Sequence, residues 1–297
     1  MFRNVLVGVG DADGGRDAIA LAKMLLAAMG ELTLAHVYRD GSPGPWRMAD
    51  VQAQEERERD REMLERAGAE AGVQARIRWR GAPSIGRGLH EIAETIDADL
   101  LVVGSSRRGL LGRAALGDDT RAALNGAPCA IAIAPAGYGS EPPVLVREIG
   151  VGFDGSPESE HALGVARGLA TEMGAMLSAF QAISIPTYLA HGHGAPGSTP
   201  LRQLVDDARA AIASHEGVEP HAAYGDPVEE LTLYSASLDL LVVGSRSYGP
   251  VGRLIHGSTA QHLARSARSP LLVLTRSTRT ASIPVQSDRG LNAVPTG

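Results

Sequence analysis

The residues with the clearest chemical potential lie in one loop. Gly244-Ser245-Arg246-Ser247-Tyr248-Gly249-Pro250-Val251-Gly252-Arg253 follows the apolar run Leu240 to Val243, and Leu254, Ile255 and His256 lead on to Gly257-Ser258-Thr259 and a segment of helical period. Glycines let backbone N–H groups close on an anion, hydroxyls ahead of a helix add hydrogen bonds, and the helix dipole favours negative charge at its N-terminus. In a parallel sheet, ligands collect beyond the carboxyl ends of the strands, where the strand order reverses. The loop therefore reads as a phosphate cradle drawn from Gly244, Ser245, Arg246, Ser247, Tyr248, Gly249, Gly257, Ser258 and Thr259. Arg253 has two readings, a phosphate contact or a surface arginine, and Arg113 holds the equivalent place earlier in the chain.

Other chemistry is poorly supported. Lys23 is the sole lysine, so no Walker-type loop is present, because that loop needs a lysine beside its glycines. Cys129 is the sole cysteine, which excludes an intrachain disulfide and a cysteine-rich metal site, and its place before an apolar run marks a buried strand residue. A net charge of −6 gives no basic footprint for nucleic acid. Glu55 to Glu62 alternates charge at helical spacing, the mark of a solvated helix face. His191-Gly192-His193 sits in a Gly/Pro-rich loop without an evident third ligand and reads as a loop feature. His161 and His256 read as surface or capping residues, His256 lying close to the cradle. No nucleophile elbow, zinc-peptidase signature or kinase set occurs.

The elements that must position the cradle occur twice. Asp99 to Ser105 and Asp239 to Ser245 are the same string, DLLVVGS. Gly81-Ala82-Pro83 matches Gly225-Asp226-Pro227, and Ala127-Pro128-Cys129 matches Ser269-Pro270-Leu271, with offsets of about 140 residues. Short β-branched runs alternate with helical segments in each copy, which argues for βαβ units and a parallel sheet. Strands are expected near Asn4 to Gly10, Leu32 to Tyr38, Gln74 to Trp79, Leu100 to Gly104 and Ala130 to Ala134. The second copy places them near Gly150 to Asp154, Met176 to Ile183, His221 to Tyr224, Leu240 to Gly244 and Leu271 to Thr275, and Trp46 to Ala71 is expected to be a helix. The fold expectation is α/β, with two tandem Rossmann-like domains, each a five-stranded parallel sheet flanked by helices. Residues 1–138 and 147–277 form the domains, 139–146 the linker, and 278–297 a polar, flexible tail. No apolar run reaches the roughly 20 residues of a membrane span. The N-terminus lacks the pattern of a signal peptide, so a cytoplasmic protein is expected.

The repeat and its loops resemble the universal stress protein family, whose nucleotide-binding members carry G-x2-G-x9-G-[ST] after the fourth strand. The second copy reads Gly244-x2-Ser247-x9-Gly257-Ser258, with serine at the second glycine. Serine is a benign replacement only where the backbone does not require a positive φ. The resemblance implies an adenine nucleotide, ATP with Mg or Mn, held mainly by the second copy. It implies that Asp154 of the Asp154-Gly155-Ser156 turn and the Gly152 backbone contact the nucleoside, and that the backbone near Ala182 meets adenine. Two readings of Asp154 stand side by side, since Asp and Ser ahead of Pro157 also suit a helix N-cap. Ala182 likewise reads as a plain strand end. In the first copy the pattern becomes Gly104-x2-Arg107-x9-Gly117-Asp118, and Gly10 takes the place of Asp154 with Asp11 after it. Asp118 would face phosphate as a like charge, so this copy is expected to be degenerate, with Arg107 and Arg108 filling the site or binding another anion. The resemblance further implies pairing of the two copies through their fifth strands, with homodimerisation open. The expected function is a stress-response protein that senses or sequesters ATP; the alternatives are an interaction protein of the same fold and a weak ATPase.

Overall fold

The computed structural model describes residues 1–10, 14–39, 46–105, 118–140, 145–184, 198–245 and 258–275. In the first half, strands β1 (Phe2–Gly8), β2 (Leu26–Arg39), β3 (Arg76–Ala82), β4 (Leu100–Gly104) and β5 (Ala130–Ala134) alternate with helices α1 (Gly14–Leu25), α2 (Trp46–Ala71), α3 (Ile85–Thr95) and α4 (Asp118–Leu124). The second half repeats the order. Its strands are β6 (Glu148–Gly152), β7 (Met176–Ile183), β8 (Glu219–Tyr224), β9 (Leu240–Gly244) and β10 (Leu271–Leu274), and its helices α5 (Pro157–Met173), α6 (Ser198–Ala213), α7 (Pro227–Tyr234) and α8 (Ser258–Ser266).

The strands join in one sheet, ordered β3-β2-β1-β4-β5-β10-β9-β6-β7-β8. Pairing is parallel within each half and antiparallel at the junction, where Leu271, Leu272 and Val273 face Ile133, Ala132 and Ile131. The expected pairing of the two copies through their fifth strands is thus the centre of the sheet. The run LLVVG is buried at its first four positions in both β4 and β9, as a parallel strand covered on both faces must be. One face is covered by α1, α2, α5 and α6, which contribute Leu21, Leu64, Leu163 and Ile212 to a core shared by both halves. The other is covered by α3, α4, α7 and α8, through Ile92, Leu124, Leu231 and Leu263.

Short polar contacts fix how the elements begin and end. The aspartate that opens each DLLVVGS run braces the first strand of its half: Asp99 accepts the Arg3 and Asn4 N–H groups, and Asp239 those of Arg147 and Glu148. Asp17, 5% exposed on α1, accepts the N–H groups of Gly137 and Gly139, each at 2.7 Å, and so ties the chain after β5 to that helix. A side chain at Gly139 would lie 2.8 Å from the Arg16 carbonyl oxygen, so only glycine lets the chain approach so closely.

Several boundaries differ from expectation. β1 and β6 end two residues early, at Gly8 and Gly152, which puts Asp154 in the turn beyond the strand. β2 begins at Leu26, directly after α1, because the chain enters the sheet without a loop. Glu58, Arg59, Arg61 and Glu62 are exposed and Arg61 pairs with Glu65, so that stretch of α2 is a solvated face as read. The outer edges are polar. Arg76 and Arg80 on β3 pair with Glu31 and Glu91, and β8 carries Pro220. Among the described residues no helix is long and apolar enough to cross a membrane.

Two outcomes follow. Leu272 is fully buried at the junction, so Leu272→Ala is expected to cost about 3 kcal/mol, the range for a core leucine truncation. Because the core is shared, urea unfolding followed by circular dichroism should remain a single transition at a lower midpoint. Cys129 is 4% exposed, and burial, with the nearby Asp99 charge, pushes its thiol up to about 12. At pH 8 the thiolate is absent from the folded protein, so alkylation should be slow in buffer and rapid in denaturant; equal rates would contradict this burial.

Candidate functional site

The strand order reverses between β6 and β9, which lie side by side with Gly152 opposite Val243. Their carboxyl ends therefore form the crevice in which an open α/β sheet takes its ligand. Past β6, the Phe153 N–H bonds to the Phe180 carbonyl and the chain turns through Asp154, Gly155 and Ser156 into α5. Gly155 has φ +73°, a left-handed conformation that favours glycine. Ser156 is the N-cap of α5, its hydroxyl accepting the Ser159 N–H, and Pro157 opens the first turn. The cap reading thus belongs to Ser156, while Asp154 braces it. Asp154 Oδ1 accepts both the N–H of Ser156, at 3.0 Å, and its hydroxyl. The Asp154 side chain remains exposed at the mouth of the crevice.

Two glycines shape the floor. A Cβ on Gly244 would lie 2.4 Å from the Glu158 carbonyl oxygen, so the first turn of α5 presses directly onto the end of β9. On Gly152 it would lie 3.1 Å from Val243 Cγ1. Ser245 is 2% exposed; its N–H bonds to the Leu274 carbonyl, and its hydroxyl oxygen has no hydrogen-bond partner among the described residues. Ala182 sits half-buried near the end of β7, paired with Ala223 of β8. Ser258 opens α8, and Thr259 is half-buried within it.

The structure thus brings Gly152, Asp154, Gly244 and Ser245 together on neighbouring strand ends, with Ala182 on the next strand. Arg246, Ser247, Tyr248, Gly249, Arg253 and Gly257 lie outside the described residues, as do Arg107, Arg108, Arg113, Gly117, His191, His193 and His256. In the first half Gly10 holds the position of Asp154, with nothing within 4 Å of where its Cβ would be. His161 corrects an expectation. It is neither at the surface nor a cap but half-buried on α5, with Nε2 enclosed and without a partner among the described residues. A polar residue on an amphipathic helix gives no sequence sign of what stands over it. A larger cleft, about 900 Å³, runs along α1 between α2, the residues Pro135, Tyr138, Gly139, Leu145 and Val146, and the amino edge of the second half, away from Asp154 and Gly244.

A model of the universal stress protein family matches residues 1–135 and again 146–275. The chain belongs to the universal stress protein family. Universal stress protein Rv2005c of Mycobacterium tuberculosis is 29% identical over 187 residues, 61% of this chain and 63% of the relative. The alignment thus spans less than two thirds of that relative's length. A universal stress protein of Thermus aquaticus is 28% identical over 136 residues, 44% of this chain and 99% of its own. Among solved structures, a universal stress protein from Archaeoglobus fulgidus matches 92% of this chain and 98% of its own at a TM-score of 0.65 and 17% identity, a likeness of fold. The double family match and the repeated strand order make this a tandem universal stress protein, with one α/β unit in each half of the sheet.

Gly244→Ala tests the packing at the crevice. The added methyl meets backbone rather than a flexible side chain, so a loss of about 1 to 3 kcal/mol is expected in urea unfolding. A neutral effect would show that α5 does not rest on β9.

Proposed function

We propose that this universal stress protein binds an adenine nucleotide, ATP, in its second half, and acts as a sensor or regulator in the response to stress. The observation that carries the reading is the juxtaposition of the Asp154 carboxylate, exposed in the turn just beyond β6, with the side-chain-free end of β9 at Gly244. A carboxylate at the mouth suits ribose hydroxyls, which donate hydrogen bonds to it. Gly244, Ser245, Arg246, Ser247, Tyr248, Gly249, Gly257, Ser258 and Thr259 would cradle the phosphates, with Arg253 as a further cation, while Gly152 and the backbone near Ala182 would meet the nucleoside. Mg or Mn would accompany the nucleotide, held through its phosphate oxygens and a hydroxyl such as that of Ser258. In the first half, Gly10 offers no carboxylate, which supports reading that half as the degenerate partner.

A second reading draws on the same turn. Asp154 already accepts from Ser156, so it serves the cap of α5 whether or not a nucleotide is present. On that reading the fold persists as an interaction protein.

Calorimetric titration of the full chain with ATP separates the two. Saturable binding is expected, weakened at least tenfold by Asp154→Ala and by Gly257→Asp and unchanged by Gly10→Ala. Unchanged affinity in both of the first two variants would sink the second-half site, and absence of adenine-nucleotide binding would leave the interaction reading.

A further inference from the structure

Two helix faces line the cleft of about 900 Å³ beside α1. Arg16, Ala20, Lys23 and Met24 fall on one side of α1 by their spacing, and Met63, Arg66, Ala67 and Glu70 share one side of α2 in the same way. Each face joins a thioether and an alanine to a pair of charged groups. A stripe of this kind ordinarily packs on a neighbouring element. Here both front the cleft, whose far wall is the amino edge of the second half, with Met173, Leu238 and Arg268. Met24, Met63 and Met173 are half-buried, so part of each thioether chain is open to contact. Methionine is unbranched and polarizable and adapts to apolar bodies of varied shape. A mainly apolar cleft of this size, with a few polar groups and set where two units meet, is of the kind that takes small molecules.

The cleft is braced on both sides. Asp17 draws the chain past β5 onto α1 by accepting the Gly137 and Gly139 N–H groups, and the Tyr138 hydroxyl on that segment donates to Met24 Sδ at 3.2 Å. Toward α2, Arg16 pairs with Glu70, and Lys23 donates to the Ala71 carbonyl. The first brace has no copy in the second half, where His161 stands as far beyond Phe153 as Asp17 stands beyond Val9. It is thus particular to one half, and the cleft it shapes lies apart from the crevice at Asp154 and Gly244.

Charge decides what the cleft would hold. Arg16, Lys23, Arg66 and Arg268 line it, all of them exposed, against Glu70 and Asp239, in a chain whose net charge is −6. Both acids are engaged: Glu70 by Arg16, and Asp239 by the N–H groups of Arg147 and Glu148. Lys23 keeps its charge while donating to a neutral carbonyl, and Arg66 and Arg268 have no ion pair among the described residues. Arg66 stands on α2 and Arg268 on the far wall, so an anionic head between the walls has a guanidinium on either side. The chain's own tail is a poor occupant, since it carries Arg276, Arg279 and Arg289 against Asp288 alone.

We propose that this cleft binds a small amphipathic anion, an apolar chain ending in one anionic head. The chain lies along α1 against Met24, Met63 and Met173, and the head lies between Arg66 and Arg268. That head is a carboxylate or a phosphate monoester, both of which a guanidinium receives bidentately. The assignment does not rest on the ATP reading.

The test uses the full chain with ¹³C-methyl methionine, each resonance assigned by its loss in the corresponding leucine variant. Decanoate and decyl phosphate are titrated below their micellar range, with decanol and decyltrimethylammonium as neutral and cationic counterparts and ATP in parallel. Saturable shifts at Met24, Met63 and Met173 are expected with the two anions, and the tighter of the two identifies the head. Met29 and Met176, exposed and outside the cleft, should stay unmoved and so control for nonspecific association. In the double variant Arg66→Gln, Arg268→Gln the affinity for the anions should fall about tenfold, with that for decanol unchanged. Ala20→Phe, which fills the cleft, should abolish the shifts. The proposal falls if all four decyl compounds bind alike, or if Met29 and Met176 move together with the other three. It falls equally if ATP alone moves the three methyls, because the cleft then takes a nucleotide, or if no titrant does. The contrast among methionines is read in the wild-type chain, so it stands even where a variant fails to fold.

Discussion

Everything in this molecule hangs on three residue pairs in the middle of its sheet. Where Leu271, Leu272 and Val273 lie antiparallel to Ile133, Ala132 and Ile131, two parallel five-stranded units become one sheet with one shared core on each face. All six residues are buried, so the junction is held by apolar contact as well as by the ladder of hydrogen bonds. The antiparallel sense also sets the geography. Carboxyl strand ends of the two halves fall on opposite edges of the sheet, so each crevice is flanked by the amino edge of the other half. A repeat that looks redundant in sequence therefore presents two separate mouths.

The halves have used that separation differently. In the first, Gly10 supplies no carboxylate, and Asp17 draws the segment after β5 down onto α1. In the second, Asp154 stands at the mouth, and the position of Asp17 belongs to His161. Both differences concern single side chains on an unchanged scaffold, consistent with function residing in sites grafted on a fold.

Much of the scaffold is legible in the sequence. LLVVG can only be a strand buried on both sides, and its repetition shows that the domain occurs twice. The helix from Trp46 to Ala71 is evident from its charge spacing. What escapes notice depends on partners distant in the chain. Asp99 and Asp239 are visible as parts of the repeat, yet their role, bracing the first strand of each half across more than ninety residues, needs the fold. The ends of β1 and β6 extend too far in the sequence reading because Gly and Phe or Val continue the apolar pattern into the turn. Asp154 is found from its turn, but only coordinates separate its bracing role from the cap at Ser156.

With its inner edges joined, the sheet has two edges left, β3 and β8. β3 offers Arg76, Arg78 and Arg80 and β8 breaks its donor row with Pro220, the charges and proline by which natural sheets discourage further strands from adding. Fusion of two copies in one chain thus does more than raise their local concentration. It uses up the inner edges internally and leaves guarded ones, so among the described residues the sheet ends at ten strands, with charge and proline on the edges where further strands would add.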